Sequence, residues 1–76
     1  MKLQKGSIRQ TYVIDTISLP LQTEKRLEAL GMTKGTAVEV LNKKSGGTMI
    51  VQVRGARFAL GRGITGNIQV TEGLQA

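Results

Sequence analysis

Two glycines, Gly31 and Gly35, interrupt residues 26–36 (RLEALGMTKGT) and limit this part of the chain to a short helix followed directly by a turn. The helix is predicted over residues 20–30, because Pro20 is acceptable in a first helical turn, where the N–H that it lacks has no partner. Gly31 fits the position after the helix end, where glycine adopts a left-handed backbone at little cost. The pattern therefore predicts a corner between a helix and a strand.

The predicted ends of the helix determine where three apolar residues lie. Leu27 and Leu30 lie three residues apart on one face of the predicted helix, so we expect both to fill the core. Met32 falls two positions after the last helical residue and can pack back on Leu27. Part of its flexible side chain is expected to stay exposed, where Met suits an adaptable contact surface.

Alternating apolar and β-branched residues predict five short strands. They lie at residues 8–17, at 36–42, at 48–54, around Phe58 and Leu60, and at 67–70. Gly55 is expected first in a two-residue connection, the position at which a type II′ turn requires a positive φ. Ile64, in the loop before the last strand, is expected to plug the end of the barrel.

The strand tally predicts the architecture. A sheet this small must curl to hide its edges, so we expect a mainly β fold, a partly open barrel of about five antiparallel strands. One short helix lies between strands 1 and 2. The chain is predicted to be a single domain over residues 1–76, with its core at about residues 6–71 and a fraying end over 71–76.

The composition indicates which residues form the core and in which cellular compartment the protein is expected. The chain has 76 residues and no Cys, and Tyr12 and Phe58 are its only aromatic residues, so the core must consist mainly of aliphatic side chains. A chain without Cys suits a reducing compartment. No apolar run approaches the roughly 20 residues that cross a bilayer, and the start MKLQKGS lacks the apolar centre of a signal peptide. We expect a cytoplasmic protein that is not inserted in a membrane.

The formal charge of +6 favours an anionic partner. Nucleic acid, lipid headgroups and an acidic protein face all meet that condition. The basic residues are dispersed, however, and no adjacent basic pair is flanked by the stacking aromatics that single-stranded nucleic-acid binders use. We therefore regard nucleic-acid binding as the less favoured alternative.

The residue types argue against catalysis and metal binding. Without His and Cys, the usual nucleophile and base pairs and the nitrogen and sulfur ligands of transition metals are missing. Glu24 and Glu28 stand one helical turn apart, but Lys25 and Arg26 lie between them, so a solvated helix face is the simpler interpretation. We predict no enzyme activity, no catalytic or metal-binding residue and no cofactor.

Residues 61–66 (GRGITG) match the dinucleotide-binding pattern G-x-G-x-x-G. In that motif the glycines open a helix whose N-terminus holds a pyrophosphate, inside a unit of about 30 residues that returns to a parallel strand. The few residues after Gly66 cannot supply both a crossover helix and a strand. We interpret the match as fortuitous and expect a tight one-turn excursion between the last two strands.

The sequences RLEALGMTKGTAVEVL and IVQVRGARFALGRGITGNIQV together resemble the ferrous iron transport A (FeoA) family. The family pattern is R-L-x-x-L-G-hydrophobic-x-x-G-x-x-V, followed by V-x-x-R-G-x-x-hydrophobic-A-L and a hydrophobic-x-V end. The resemblance extends from about Gly6 to Val70. Thr65-Gly66 departs from it, because the family often has a small apolar residue there.

The resemblance implies an SH3-like barrel that assists the membrane protein carrying ferrous iron inward, a transporter with a cytoplasmic GTP-binding domain. The residues expected to contact this partner are Arg26, Met32, Arg54 and Arg57. Arg26 either contacts a carboxylate of the partner or braces the sheet, and Arg54 and Arg57 are expected to project together from a hairpin tip. Whether the protein activates or restrains GTP hydrolysis is not implied.

Three alternatives to this adaptor function stay open at the level of the sequence. One is nucleic-acid binding by a small basic barrel. Another is direct sensing of ferrous ions by scattered carboxylates. A third is a stand-alone relative of the C-terminal interaction domain of metal-responsive repressors, in which the same domain occurs.

Overall fold

The fold consists of five strands with one helix of nine residues and two shorter helical turns. It is known from a computed structural model, which describes residues 1–73. The elements are a 3-10 turn (Leu3–Lys5), β1 (Thr11–Ile17), α1 (Leu21–Ala29), β2 (Ala37–Lys43), β3 (Met49–Val53), β4 (Ala56–Leu60), α2 (Arg62–Thr65) and β5 (Ile68–Glu72). The predicted strands and the helix between the first two are thus confirmed, with small shifts of their ends. The fraying predicted over residues 71–76 is wrong for Thr71 and Glu72, which pair with β1, and residues 74–76 lie outside the described part of the chain.

The strands form a single antiparallel sheet in the order β4-β3-β2-β1-β5. The ladder is irregular between Ile14 and Thr16 in β1 and between Val40 and Asn42 in β2. Irregularities of this kind bend a strand and increase its twist, which lets a short sheet curl on itself. The predicted partly open barrel, with antiparallel strands, is confirmed.

The core lies on the concave side of this sheet. Alternate residues of the strands face it, as the period of two requires. The strand residues that are almost fully buried are Tyr12, Ile14, Val38, Val40, Met49, Val51, Val53, Leu60, Ile68 and Val70. Phe58 and Ile64 pack against them as partly buried residues.

Helix α1 covers the core with one leucine rather than two. Leu27 is 3% exposed, but Leu30 is 41% exposed, so the expectation that both fill the core is wrong for Leu30. The physical reason is that α1 ends at Ala29 and Leu30 is the C-cap, where the chain already turns away. The helix also begins one residue later than predicted, because Pro20 is itself the N-cap with an extended backbone.

The N-terminal residues belong to the folded body, which the sequence analysis did not anticipate. Leu3 is fully buried, so the core begins ahead of Gly6. The Val70 N–H donates to the Met1 carbonyl at 2.7 Å, and Lys2 forms a β-bridge with Gln69. This segment therefore lies along the outer side of β5. None of the helices in residues 1–73 is long and apolar enough to cross a membrane.

Candidate partner-binding surface

The end of α1 is closed by two backbone hydrogen bonds. The Gly31 N–H donates to the Glu28 carbonyl and the Met32 N–H donates to the Leu27 carbonyl, each at 2.9 Å. Together with a φ of +92° at Gly31, this is a Schellman motif. The corner predicted from the sequence is confirmed, including the return of Met32 onto Leu27.

The connection between β3 and β4 is a different turn from the one predicted. Val53 pairs with Ala56, so the two loop residues are Arg54 and Gly55, and both have a positive φ, of 52° and 83°. Two positive φ values define a type I′ turn, whose twist matches that of the flanking strands. The predicted type II′ turn with Gly55 first is therefore wrong.

This turn brings the Arg54 side chain onto the end of α1. A Cβ atom built on Gly31 would lie 2.9 Å from Cδ and 3.2 Å from Nε of Arg54. A Cβ at position 31 would make the flexible end of the Arg54 side chain shift from this place, where its cation lies at the negative end of the helix dipole. The helix end and the hairpin tip, which are distant in sequence, form one surface.

We call this the helix-end surface and define it by Arg26, Leu30, Gly31 and Arg54. Arg26 and Leu30 are four residues apart, so they are neighbours on the same side of α1. Arg26 and Arg54 are exposed, and neither side chain has a hydrogen-bond or ion-pair partner among residues 1–73. The surface thus presents an exposed leucine together with two available guanidinium groups.

Met32 does not contribute an exposed side chain to this surface. It is fully buried, so the expectation of partial exposure is wrong. The same return onto Leu27 that closes the helix takes the whole thioether into the core. Leu30 occupies the exposed position instead, and the signal that could have identified it is its C-cap position, directly before the glycine.

Arg57 lies apart from the helix end, on the strand that follows the turn. It pairs with Gln52, whereas its neighbour Phe58 pairs with the buried Val51, so Arg57 is on the convex side of the sheet. It is exposed and has no hydrogen-bond or ion-pair partner in the described part of the chain. Arg54 and Arg57 therefore do not project together, because Arg54 folds back on Gly31.

An open groove of about 300 Å³ runs between β1 and α1. Asp15, Glu24 and Glu28 line it together with Met32 and Lys34. In residues 1–73, however, no three His, Cys, Asp or Glu side chains are placed so that they could hold a metal ion. The groove therefore does not support the alternative of ferrous ion sensing by carboxylates.

The GRGITG segment forms a one-turn helix rather than a phosphate-binding loop. Helix α2 spans Arg62–Thr65 and is followed by β5, which is antiparallel to β1. A dinucleotide motif needs a long helix and a return to a parallel strand. The interpretation of the match as fortuitous is consistent with this geometry.

The two aromatic residues are not placed for stacking on bases. Tyr12 is 4% exposed, and its hydroxyl oxygen accepts a hydrogen bond from the Ser7 N–H at 2.7 Å. Phe58 is on the concave face and partly buried. Single-stranded nucleic-acid binders expose such rings, so the geometry does not favour that alternative.

Comparison with known proteins agrees with the family resemblance that the sequence shows. The family model described as the FeoA domain matches residues 1–72. No curated protein matches the sequence. Among solved structures, an iron uptake regulatory protein (FeoA) is 26% identical, with a TM-score of 0.86 over 95% of this chain and 96% of its own.

Two further structures are informative. FeoA from Stenotrophomonas maltophilia, solved with zinc, is 28% identical, with a TM-score of 0.76 over 92% of this chain and 88% of its own. It is described as a prokaryotic SH3 domain protein and suggested as a bacterial ferrous iron transport activating factor. A manganese-dependent transcriptional repressor is 20% identical, with a TM-score of 0.85 over 97% of this chain but 41% of its own, and shares the fold alone.

Proposed function

The chain belongs to the FeoA family of accessory proteins in ferrous iron transport, and from this premise we propose that it docks on the cytoplasmic portion of a membrane ferrous iron transporter. In this role it is a cytoplasmic adaptor that modulates the transporter and catalyses no reaction itself. The transporter is expected to carry a GTP-binding domain, and iron is its cargo rather than a cofactor of this chain.

The observation that carries the proposal is the packing of Arg54 on Gly31. It joins two separate elements into one exposed surface that carries an apolar residue, Leu30, and two guanidinium groups. Leucine and arginine are complementary to a partner that offers an apolar pocket bordered by carboxylates. Because the two arginines have no partner among the described residues, docking does not require an internal ion pair to break.

The Stenotrophomonas maltophilia structure supports this choice of function. That protein has been suggested as an activating factor of ferrous iron transport, a role that direct contact with a transporter would fulfil. The position of Arg57 on the next strand extends the same basic character beyond the turn. We therefore assign partner contacts to Arg26, Leu30, Arg54 and Arg57.

The test is co-purification of the tagged protein with a detergent extract of membranes from its own cell, with and without guanine nucleotide. We expect the wild-type protein to retain the transporter. The double variant Arg54→Glu/Arg57→Glu should retain at least about tenfold less, because two charge-assisted contacts become repulsive. Both side chains are exposed, so the fold should be retained, with a small loss of stability because a carboxylate at position 54 faces the negative end of the α1 dipole; the far-UV circular dichroism spectrum checks the fold.

Lys44 provides the matched control. It is exposed and lies just after β2, at the end of the β2–β3 hairpin remote from the Arg54 turn. Lys44→Glu reverses one positive charge, so it is compared with the single variants Arg54→Glu and Arg57→Glu, and it should bind as the wild type does. Equal losses in the three single variants would mean that net charge alone, and not this surface, determines retention. Retention of nucleic acid instead of the transporter would contradict the adaptor function.

A further inference from the structure

The two edges of the sheet differ in how they are covered. Along β5, the N-terminal segment pairs through Lys2 and Gln69 and through the Val70 N–H. Along β4, the only neighbour in the described sheet is β3. Strand β4 has no proline and no bulge and pairs regularly with β3 over its whole length, and its one charged residue, Arg57, repels a like-charged edge but not an acidic one.

The register tells which backbone groups of β4 are available. Val53 and Ala56 flank a two-residue turn, so they form a hydrogen-bonded pair, and such pairs alternate along an antiparallel ladder. Arg57 and Ala59 are consequently at non-hydrogen-bonded positions with respect to β3. Their N–H and C=O groups point away from the sheet, and no backbone hydrogen bond to another described segment involves them.

The side chains leave these groups accessible. Ala56 and Ala59 are small and exposed, and Arg57 is exposed on the convex face. The segment RGARFALGR around β4 contains three arginines and no carboxylate. Arg62 donates to the Gly46 carbonyl at 3.3 Å and is thereby held at the other hairpin, so Arg54 and Arg57 are the arginines that an added strand would meet.

We propose that an extended, acidic segment of the docking partner pairs with the β4 edge and adds a strand to the sheet. Backbone hydrogen bonds to Arg57 and Ala59 provide the pairing, and a carboxylate beside Arg57 provides the selectivity. A second copy of this chain is a poor occupant of the edge. Antiparallel pairing of two β4 strands would bring two Arg57 side chains into the same short ladder, and each chain carries a net charge of +6, so the two copies would repel each other. The inference deepens the proposed function and rests on it.

The test uses a proline at a position where only the added strand is affected. The Ala59 N–H is not used by β3, so Ala59→Pro removes an outward donor without removing a bond of the native ladder. Ala59→Thr is the matched control, since it keeps the N–H at the same position. Binding to the purified cytoplasmic portion of the transporter should fall about tenfold or more for Ala59→Pro and stay near the wild-type value for Ala59→Thr.

Amide hydrogen exchange gives a second measurement. In the wild-type protein, the Arg57 and Ala59 amides should become protected when the transporter portion binds. If Ala59→Pro unfolds, the protection of these two amides in the wild-type protein decides the question, because Arg57→Glu changes only a side-chain contact that docking without an added strand would also use. Protection of both amides would support the added strand.

The outcomes separate the two proposals. If the wild-type protein binds the transporter portion but Ala59→Pro binds equally well and the two amides stay unprotected, the added strand is wrong and docking stands. If the wild-type protein does not bind at all, both proposals fail. Dimerisation of the free protein that Ala59→Pro abolishes would show that the edge takes a second copy, which overturns the acidic occupant.

Discussion

The corner after α1 and the corner between β4 and β5 both contain closely spaced glycines, but the backbone uses them differently. Gly31 and Gly35 have φ values of +92° and +89°. The described glycines with a positive φ do not include Gly61, Gly63 or Gly66. The first corner therefore needs glycine for its conformation, whereas the second one, despite its resemblance to a phosphate-binding motif, forms an ordinary turn of helix.

The difference shows that glycine spacing alone does not identify a binding loop. Crowding does not distinguish the corners, because the Arg54 side chain lies beside Gly31 and the Gln4 side chain and the Arg62 carbonyl lie beside Gly66; the positive φ does. A Cβ at Gly61 or Gly63 would meet nothing within 4 Å. The comparison can be tested by adding that Cβ at each corner and measuring stability and partner binding separately.

The largest effect is expected for Gly31→Ala. A left-handed backbone costs an L-residue roughly 1–2 kcal/mol, and the new Cβ must also displace Arg54, so the free energy of unfolding should fall by about 2 kcal/mol. Binding to the transporter portion should fall as well, because the helix-end surface loses its arrangement. Urea unfolding and a binding titration measure the two quantities.

Gly31→Asn separates these two causes. Asparagine tolerates the left-handed conformation better than alanine, so its effect on stability should be smaller. Its Cβ still occupies the space that Arg54 needs, and partner binding should therefore fall as in Gly31→Ala. Wild-type binding by Gly31→Asn would mean that the contact between Arg54 and the helix end is not part of the docking surface.

A smaller effect is expected for Gly35→Ala. The φ at Gly35 is similar to that at Gly31, but a Cβ there would have open space around it. The free energy of unfolding should fall by about 1 kcal/mol from backbone strain alone, and partner binding by the folded protein should not change. Equal losses of binding in the variants at positions 31 and 35 would contradict a specific role of Arg54.

The helix-end corner was predictable from the sequence because its determinants are local. A leucine four residues before Gly31 and a methionine directly after it are sufficient to predict a Schellman motif. The burial of Met32 and the exposure of Leu30 were not predicted, because the pattern of apolar residues continues past the point where the helix stops. The register of the β3–β4 turn was also missed, since nothing in the sequence marks Arg54 for a positive φ.

Other features depend on contacts between distant segments and had no local signal. Leu3 is an isolated apolar residue in a polar stretch, and it is buried because the N-terminal segment lies along β5. The open edge of β4 likewise follows from the strand order and not from the residues of β4 themselves. Propensity and periodicity identify the strands, but the order of the strands decides which edge remains available.

The smallest effect on the free energy of unfolding is expected for Gly63→Ala, which should stabilise the protein instead of destabilising it. Gly63 lies inside α2 without a positive φ, and a Cβ there would meet nothing within 4 Å. Alanine loses less backbone entropy than glycine in a helix, so the free energy of unfolding should rise by about 0.5 kcal/mol. Partner binding should be unchanged, because α2 contributes no residue to the helix-end surface. A marked loss of stability or of binding in this variant would mean that the second corner also needs its glycine, and the distinction between the two corners would then be lost.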